Sequence, residues 1–565
     1  MALSLKPVRW LLPALAAGAV MTTSPAAPAD STAELTIDRL FDAPALAGPT
    51  IVGLKISPDG SRVTYLKGKA DDKDRLDLWE YNVKDGAARI LVDSKVLAPS
   101  TARLSDEELA RRERQRTAAL SGILEYSFSP TGRALLFPLD GKLFYYDLTS
   151  AAADALLEIT HPPVFATDAV ASPAGGYVAY VRDQNLYAYD LTKKTEKRLT
   201  RDGGGTIKNG MAEFVAQEEM DRSTGYWWAP DDRHVAFVRV DESPVKLTQR
   251  FEIAADNVAT FEQRYPAAGG ANVRVRVGVA DVRSGATVFM DLGSDADIYL
   301  ARVNWLPDGR TLAIQRESRD QHRLDLLFAD IETGQSRVVL TERSDTWIDL
   351  NEELTFLKHS REFLWASARS GFQHLYLYDY DGHLLRQVTA GDWNVDDFRG
   401  RAVKAIDEAR RLVYFTATEK DPTERHLYRT SLDTADPAHV ERITQEDGLH
   451  GIIMSPDARF YVDGFTSTAQ PPQVSLRAVD GTLIAYLIEN PLDDHHPDAP
   501  YLAENSRPEF GVLEAADGQA LHYRLFKPPH FDAAKHYPAI VEVYGGPGVQ
   551  RVTQAWSGSS FTQIL

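Results

Sequence analysis

Apolar and polar residues alternate with a period of two along most of this chain, in short stretches separated by turns rich in Pro, Asp and Gly. That period marks β-strands, and the turn residues say where each one stops. One turn recurs. It reads SPDG at Ser57 to Gly60, SPTG at Ser129 to Gly132, SPAG at Ser172 to Gly175, APDD at Ala229 to Asp232, LPDG at Leu306 to Gly309 and SPDA at Ser455 to Ala458. After most copies comes another strand that carries an aromatic or aliphatic residue just before an acidic or polar turn, as in Asp77 to Gly86, Lys142 to Ser150, Asn185 to Lys194, Leu326 to Gly334 and His374 to Gly382. Two degenerate copies, Lys358 to Ala368 and Ile406 to Ala417, fill the one long gap and bring the number of copies to eight. Four short strands with their turns need about 45 residues, which is the scale of the repeat. The pattern therefore predicts an all-β, eight-bladed β-propeller within residues 30–490, its strands starting near Ala43. An array of β-sandwiches is the competing arrangement, and the regular repeat length favours the propeller.

Two stretches depart from the alternation. Leu104 to Leu120 predicts a helix between the first two blades: Ser105 stands as N-cap with Glu108 three residues on, and arginines follow the acidic first turn. Its pairs Glu107–Arg111 and Glu108–Arg112 are spaced to neutralise one another across a turn. After the eighth copy, residues 491–508 read as a linker rich in Pro, Asp and His. Its Asp493, Asp494, His495, His496 and Asp498 resemble metal ligands only superficially, because adjacent residues on a Pro-containing segment rarely converge on one ion, and no metal site is expected. From residue 509 to 565 the pattern changes to that of an α/β domain: Ala539 to Tyr544 predicts a buried strand that runs into a tight Gly-Gly-Pro-Gly loop.

The N-terminus and the composition narrow the setting. Lys6 and Arg9 precede an apolar run from Trp10 to Met21, and Ala27-Pro28-Ala29 supplies small residues for cleavage, so residues 1–29 read as a secretory signal peptide. The run is too short to span a bilayer and Pro13 interrupts it. The remaining chain is expected in the periplasm or outside the cell, with no membrane anchor once the leader is removed. A formal net charge of −19 argues against nucleic acid as a partner. The absence of cysteine excludes disulfides, thiolate metal sites and a cysteine nucleophile.

Two constellations carry candidate chemistry. Glu218 and Glu219 are adjacent and lie among aromatics. Two ionised carboxylates in a confined site need a cation close by, which a substrate ammonium group can supply; as an exposed turn, the pair would instead be satisfied by Arg222. Tyr544 stands at the end of the predicted strand, where its hydroxyl either packs or donates into a cleft as part of an oxyanion hole. No Gly-X-Ser-X-Gly nucleophile elbow, Walker loop or His-Glu-X-X-His segment occurs in the 565 residues.

Several motifs together carry a family resemblance: QEEM at Gln217 to Met220 followed by YWWAPDD, YPAAGGAN at Tyr265 to Asn272, ARSGFQHLYLYD at Ala368 to Asp379, LFKPPHFDAAKHYP at Leu525 to Pro538, and VYGGPG from Val543. In that order the chain resembles the bacterial branch of dipeptidyl peptidase IV, within the prolyl oligopeptidase family of serine peptidases. The resemblance implies a propeller covering an α/β-hydrolase domain with a Ser-Asp-His triad. It also implies release of N-terminal dipeptides when proline, or less well alanine, is second. Glu218 and Glu219 match the pair that binds the substrate α-ammonium, and Tyr544 matches the oxyanion-hole tyrosine. An arginine of the inserted helix binds a substrate carbonyl in relatives; Arg111, Arg112, Arg114 and Arg116 are the candidates, and Arg116, which lacks the glutamate four positions earlier that occupies Arg111 and Arg112, is favoured. No cofactor is implied, the expected partners are peptides with a free N-terminus, and full-length relatives are expected to form homodimers. The triad of such enzymes lies beyond the segment that matches residues 509–565, so a chain ending at Leu565 is expected to be C-terminally truncated and inactive alone. Two other readings stay open on this fold: a non-catalytic periplasmic binding propeller, and a tripeptidyl or acylaminoacyl peptidase relative.

Overall fold

The computed structural model describes residues 34–560 other than 100–103, 105–107, 110, 111, 114, 152, 153, 161–164, 398, 399, 505, 506 and 547; the leader expected at residues 1–29 lies outside the described residues. Eight antiparallel sheets follow one another along the chain, at 52–92, 127–158, 167–198, 207–289, 298–343, 355–387, 403–442 and 449–488. These are blades 1 to 8 of a propeller. In every blade but the fourth, the four strands pair in the order in which they follow one another along the chain. The recurring turn sits in the same place each time, joining the first strand to the second, and both degenerate copies occupy that place too.

The chemistry of that turn explains why it repeats. In blade 1 the Ser57 hydroxyl donates to Asp59 at 2.6 Å and accepts the Arg62 backbone N–H at 3.1 Å, while the Gly60 N–H closes the turn on the Ser57 carbonyl at 2.8 Å. Ser129, Ser172 and Ser455 likewise accept the backbone N–H five residues on and are, like Ser57, fully buried. The fourth residue of the turn has a left-handed backbone, with φ of 69° at Gly60 and 64° at Gly309. Glycine takes that conformation freely; Asp232 at 58° and Ala458 at 52° take it at a steric cost.

The blades stack through eight clusters of buried side chains, one at each interface. The second strand of blade 2 shows how the period of two produces this: Leu135 and Phe137 pack on Leu66 and Leu78 of blade 1, and Leu136, between them, packs on Val178 and Tyr180 of blade 3. The last interface closes the ring, with Val63 and Tyr65 of blade 1 against Phe460 and Val462 of blade 8. Among the described residues no strand is shared across that seam, since each of the two blades is built from its own end of the chain. Asn490 fastens it by donating to the carbonyls of Ala47 at 2.9 Å and Pro472 at 3.0 Å. A ring of single sheets stacked face to face excludes the sandwich array.

Two expectations are corrected. The inserted helix is shorter than residues 104–120. Its described turns are helical at 108–109 and 112–113, and it ends at Arg116, whose φ of 56° breaks the helix and whose N–H bonds back to the Glu113 carbonyl. Residues 121–122 then pair in parallel with the strand Arg75–Asn82. The strand expected at 539–544 is not formed either. After the hairpin Glu509–Glu514 and Ala520–Leu525, residues 538–545 belong to no sheet, and Ile540, Val541 and Val543 are 72–83% exposed. A parallel strand needs neighbours on both edges and layers on both faces, and among the described residues neither lies there. The last described stretch returns to the propeller, where the Gln554 N–H reaches the Thr423 carbonyl at 3.0 Å and the Ser559 N–H reaches Asp498 at 3.1 Å.

Candidate functional site

Blade 4 is the one that departs from the plan at its first strand. That position is divided between Ile207–Asn209 and Tyr226–Trp228, both of which pair with His234–Asp241. The chain leaves and returns at one point of the sheet: the Gly210 N–H donates to the Val238 carbonyl at 2.9 Å, and the Val238 N–H donates to the Gly225 carbonyl at 2.8 Å. Residues 211–224 are therefore an excursion on a pinched stem. A Cβ on Gly225 would lie 2.4 Å from the Met211 carbonyl carbon, so the stem closes only with glycine there.

The excursion carries the helix Phe214–Glu219. Its inner face, Ala212, Ala216 and Met220, is buried against Tyr299 of blade 5 and Leu350, and Phe214 meets Tyr265 edge to face at 5.2 Å. That packing leaves Glu218 and Glu219 exposed at the C-terminal end of the helix. The Arg222 guanidinium, which as a turn partner would have served them, is committed elsewhere. It donates to the buried Glu213 carboxylate at 3.0 Å and to the Thr224 carbonyl at 3.0 Å, with only 4% of its side chain exposed. The pair Glu213–Arg222 thus ties the residue before the helix to the residue three beyond it, and the Arg222 N–H adds a bond to the Ala216 carbonyl at 2.9 Å. Deeper still, burial pushes the Glu317 carboxyl up to about 7 against the opposing pull of Arg302. Burial likewise lowers the pKa of Arg302, whose Nε lies 3.7 Å from Glu352.

The other sequence candidates divide. Arg112 holds Glu108 at 2.8 Å, as the spacing predicts, and so is engaged. Arg116 is exposed at the left-handed end of the helix. Arg111 and Arg114 lie outside the described residues. Tyr544 is 59% exposed in the segment that joins no sheet, and among the described residues no hydrogen bond joins it to blade 4. Sequence reasoning did not find Thr167 and Asp168 of blade 3. The Thr167 hydroxyl donates to Glu108 at 2.8 Å and Asp168 accepts from the Thr224 hydroxyl at 2.7 Å. The one available signal was the break in alternation at TDAVA, Thr167 to Ala171. A cavity of about 460 Å³ opens beside them, between blade 3, the excursion and the hairpin Leu247–Ile253 with Val258–Arg264; its walls include Phe214 and Gln217 but neither Glu218 nor Glu219.

Comparison with known proteins decides the family. The model of the family described as "Dipeptidyl peptidase IV (DPP IV) N-terminal region" matches residues 113–472, from the inserted helix into the third strand of blade 8. The chain belongs to that family. Among curated members of the dipeptidyl peptidase group, dipeptidyl peptidase 4 of Trichophyton tonsurans is 27% identical over 418 residues, covering 70% of this chain and 51% of the relative. Dipeptidyl peptidase 8 of Mus musculus is 24% identical over 556 residues, covering 81% of this chain and 61% of the relative. The chain thus spans about half to three fifths of the length of these curated relatives. The crystal structure of Porphyromonas gingivalis dipeptidyl peptidase 4 superposes with a TM-score of 0.74 at 23% identity, covering 90% of this chain and 69% of that one, which establishes the common fold.

Proposed function

We propose that this chain is the substrate-anchoring part of a serine exopeptidase of the dipeptidyl peptidase IV family, one that releases N-terminal dipeptides with proline or alanine second. The observation that carries the reading is the pair Glu218 and Glu219: two adjacent carboxylates held out on a rigidly fastened helix, with the nearby Arg222 engaged by Glu213. Such a pair favours a cation, and a peptide α-ammonium is a cation with three N–H donors. Arg116 is the candidate for the substrate carbonyl, and Tyr544 for the oxyanion hole once an α/β-hydrolase portion surrounds it.

Anchoring the amino terminus fixes the scissile bond two residues away, which turns binding energy into register. In the family mechanism a serine activated by histidine attacks the carbonyl after the second residue, donors hold the oxyanion, and water releases the dipeptide. No nucleophile-elbow motif occurs in residues 1–565, so these residues by themselves are proposed to bind peptides without cleaving them. The leader motif supports a periplasmic or secreted setting.

Calorimetry with Ala-Pro-Ala and its N-acetylated form tests the reading. The free amine should bind the 565-residue chain at least tenfold more tightly, and E218Q/E219Q should abolish that preference. Equal affinity for the two peptides in the unaltered chain would overturn it.

A further inference from the structure

The two elements proposed above to hold the substrate, the excursion of blade 4 for its ammonium and the inserted arginine-bearing helix for its carbonyl, are fastened to consecutive residues of blade 3. Strand Thr167–Ala171 pairs with Tyr177–Arg182, and between Thr167↔Val181 and Val170↔Ala179 it holds one residue more than its partner. This is a β-bulge, a device that re-aims side chains; one also occurs in the first strands of blades 1, 5 and 7, and what sets this one apart is the hydrogen bonds its residues make. Asp168, within it, is left-handed with φ of 51°. The Tyr226 hydroxyl fixes the bulge by donating to the Asp168 carbonyl and, at 2.9 Å, to that of Ala179.

From this point two chains of hydrogen bonds run outward. Thr167 donates to Glu108 at 2.8 Å, and the other oxygen of Glu108 accepts from Arg112 at 2.8 Å, which secures the inserted helix. Asp168 accepts from Thr224 at 2.7 Å; the Thr224 carbonyl accepts from Arg222, and the Arg222 N–H donates into the helix Phe214–Glu219. The cavity of about 460 Å³ lies against Thr167, Asp168, Gln217 and Ser223, so on this flank hydrogen bonds, more than packed side chains, tie the excursion to blade 3.

We infer that the Thr167–Asp168 bulge is a gauge that sets the separation between the carboxylates of Glu218 and Glu219 and the arginine of the inserted helix. Thr167, Asp168 and Thr224 are then positioning residues. The inference rests on the reading that those carboxylates take the substrate ammonium. A substrate residue presents its ammonium and its carbonyl a fixed few bonds apart, and a misplacement of about 1 Å at such a site costs on the order of a hundredfold. A gauge therefore matters to a ligand that uses both groups and not to one that uses the ammonium alone.

Two ligands separate these cases: Ala-Pro-Ala, which has both groups, and isobutylamine, which has only the ammonium. D168G keeps the left-handed backbone and removes the hook, D168N keeps both backbone and acceptor, and T224V removes the donor without touching the bulge. In ligand-observed NMR titrations of the 565-residue chain, D168G and T224V should weaken Ala-Pro-Ala about tenfold and leave isobutylamine unchanged. D168N should bind both as the unaltered chain does, and combining D168G with T224V should add nothing. Loss of isobutylamine to the same degree as Ala-Pro-Ala would mean damage to the carboxylates themselves and would overturn the gauge. So would intact Ala-Pro-Ala affinity in both D168G and T224V while E218Q/E219Q loses both ligands. Unchanged binding of both ligands by E218Q/E219Q overturns the reading of the carboxylate pair, and the gauge with it.

Discussion

In blade 7 the first strand, Val403–Asp407, is one continuous segment that pairs with Leu412–Ala417 apart from a single bulge, whereas in blade 4 the same position is cut by residues 211–224. The two blades also treat charge in opposite ways. Around blade 7 the buried charges are taken up by the fold: Glu353 accepts the backbone N–H groups of Ala402 and Val403, Glu424 is bonded to Lys420 at 2.8 Å and His426 at 2.6 Å, and Arg425 to Asp396. In blade 4 the inner pair Glu213–Arg222 is buried in the same manner, yet it supports a helix whose last two residues are exposed carboxylates. The difference teaches where to look for chemistry in a repeat protein. A charged residue inside the repeat is there to satisfy the repeat, and an exposed pair carried out of it on a dedicated excursion is the place to test for binding.

Four substitutions probe that contrast, beginning with the largest effect. R222M leaves the Glu213 carboxylate buried and unpaired and should cost about 3–5 kcal/mol, read as a fall in the denaturant midpoint; E213L/R222M should recover most of it. If R222M is neutral, the stem of blade 4 is not the fastening described. Next, E317Q addresses the charge behind the helix. Its folded-state pKa of about 7 stands above the ordinary 4.5, because burial disfavours the ionised carboxyl. The folded protein therefore keeps a proton that the unfolded chain loses between those values, and stability falls as pH rises through that window. The glutamine should raise stability by up to about 3 kcal/mol at pH 8 and by about none below pH 4.5, in thermal melts at the two pH values. A gain of equal size at both would show that ionisation is not its source.

E353A, beside blade 7, removes the acceptor of two buried N–H groups and should cost about 2 kcal/mol while leaving peptide affinity unchanged. It is the mirror image of E218Q/E219Q, which should alter affinity and shift stability by less than about 0.5 kcal/mol. A binding defect in E353A would erase the distinction between the two blades. The smallest effect belongs to A458G, which restores glycine at a φ of 52°. It should gain about 0.5 kcal/mol, relief of left-handed strain outweighing the extra freedom of the unfolded chain.

Much of the propeller was legible in the sequence because the turn that defines it is a local object. The serine hydroxyl, the aspartate and the left-handed fourth residue act within six positions, so a copy that keeps only some of them is still recognisable, and even LKHSR at Leu357 to Arg361 falls in register. The carboxylate pair was legible for a similar reason, two like charges side by side being costly unless used. What escaped notice depends on residues far apart in the chain. Glu108 reads as a capping-box glutamate, yet its carboxylate bonds Arg112 and Thr167, 59 residues away. Asp168 and Thr224 are 56 residues apart, and neither type of residue signals the other. The strand expected at 539–544 shows the converse: its apolar run is real, but a strand buried on both faces exists only where the layers that bury it do.

The seam between blades 1 and 8 has a consequence for how the ring is made. Because it shares no strand, no early segment has to wait unpaired for a late one. Each blade can complete its own hairpins as it leaves the ribosome and then dock on the blade before it, a linear growth governed by neighbours only. The single step that spans the whole molecule is the last, when Phe460 and Val462 meet Val63 and Tyr65 and Asn490 reaches back 443 residues to Ala47. Loop-closure entropy rises only logarithmically with length, so that final contact between side chains is enough to turn a row of blades into a ring.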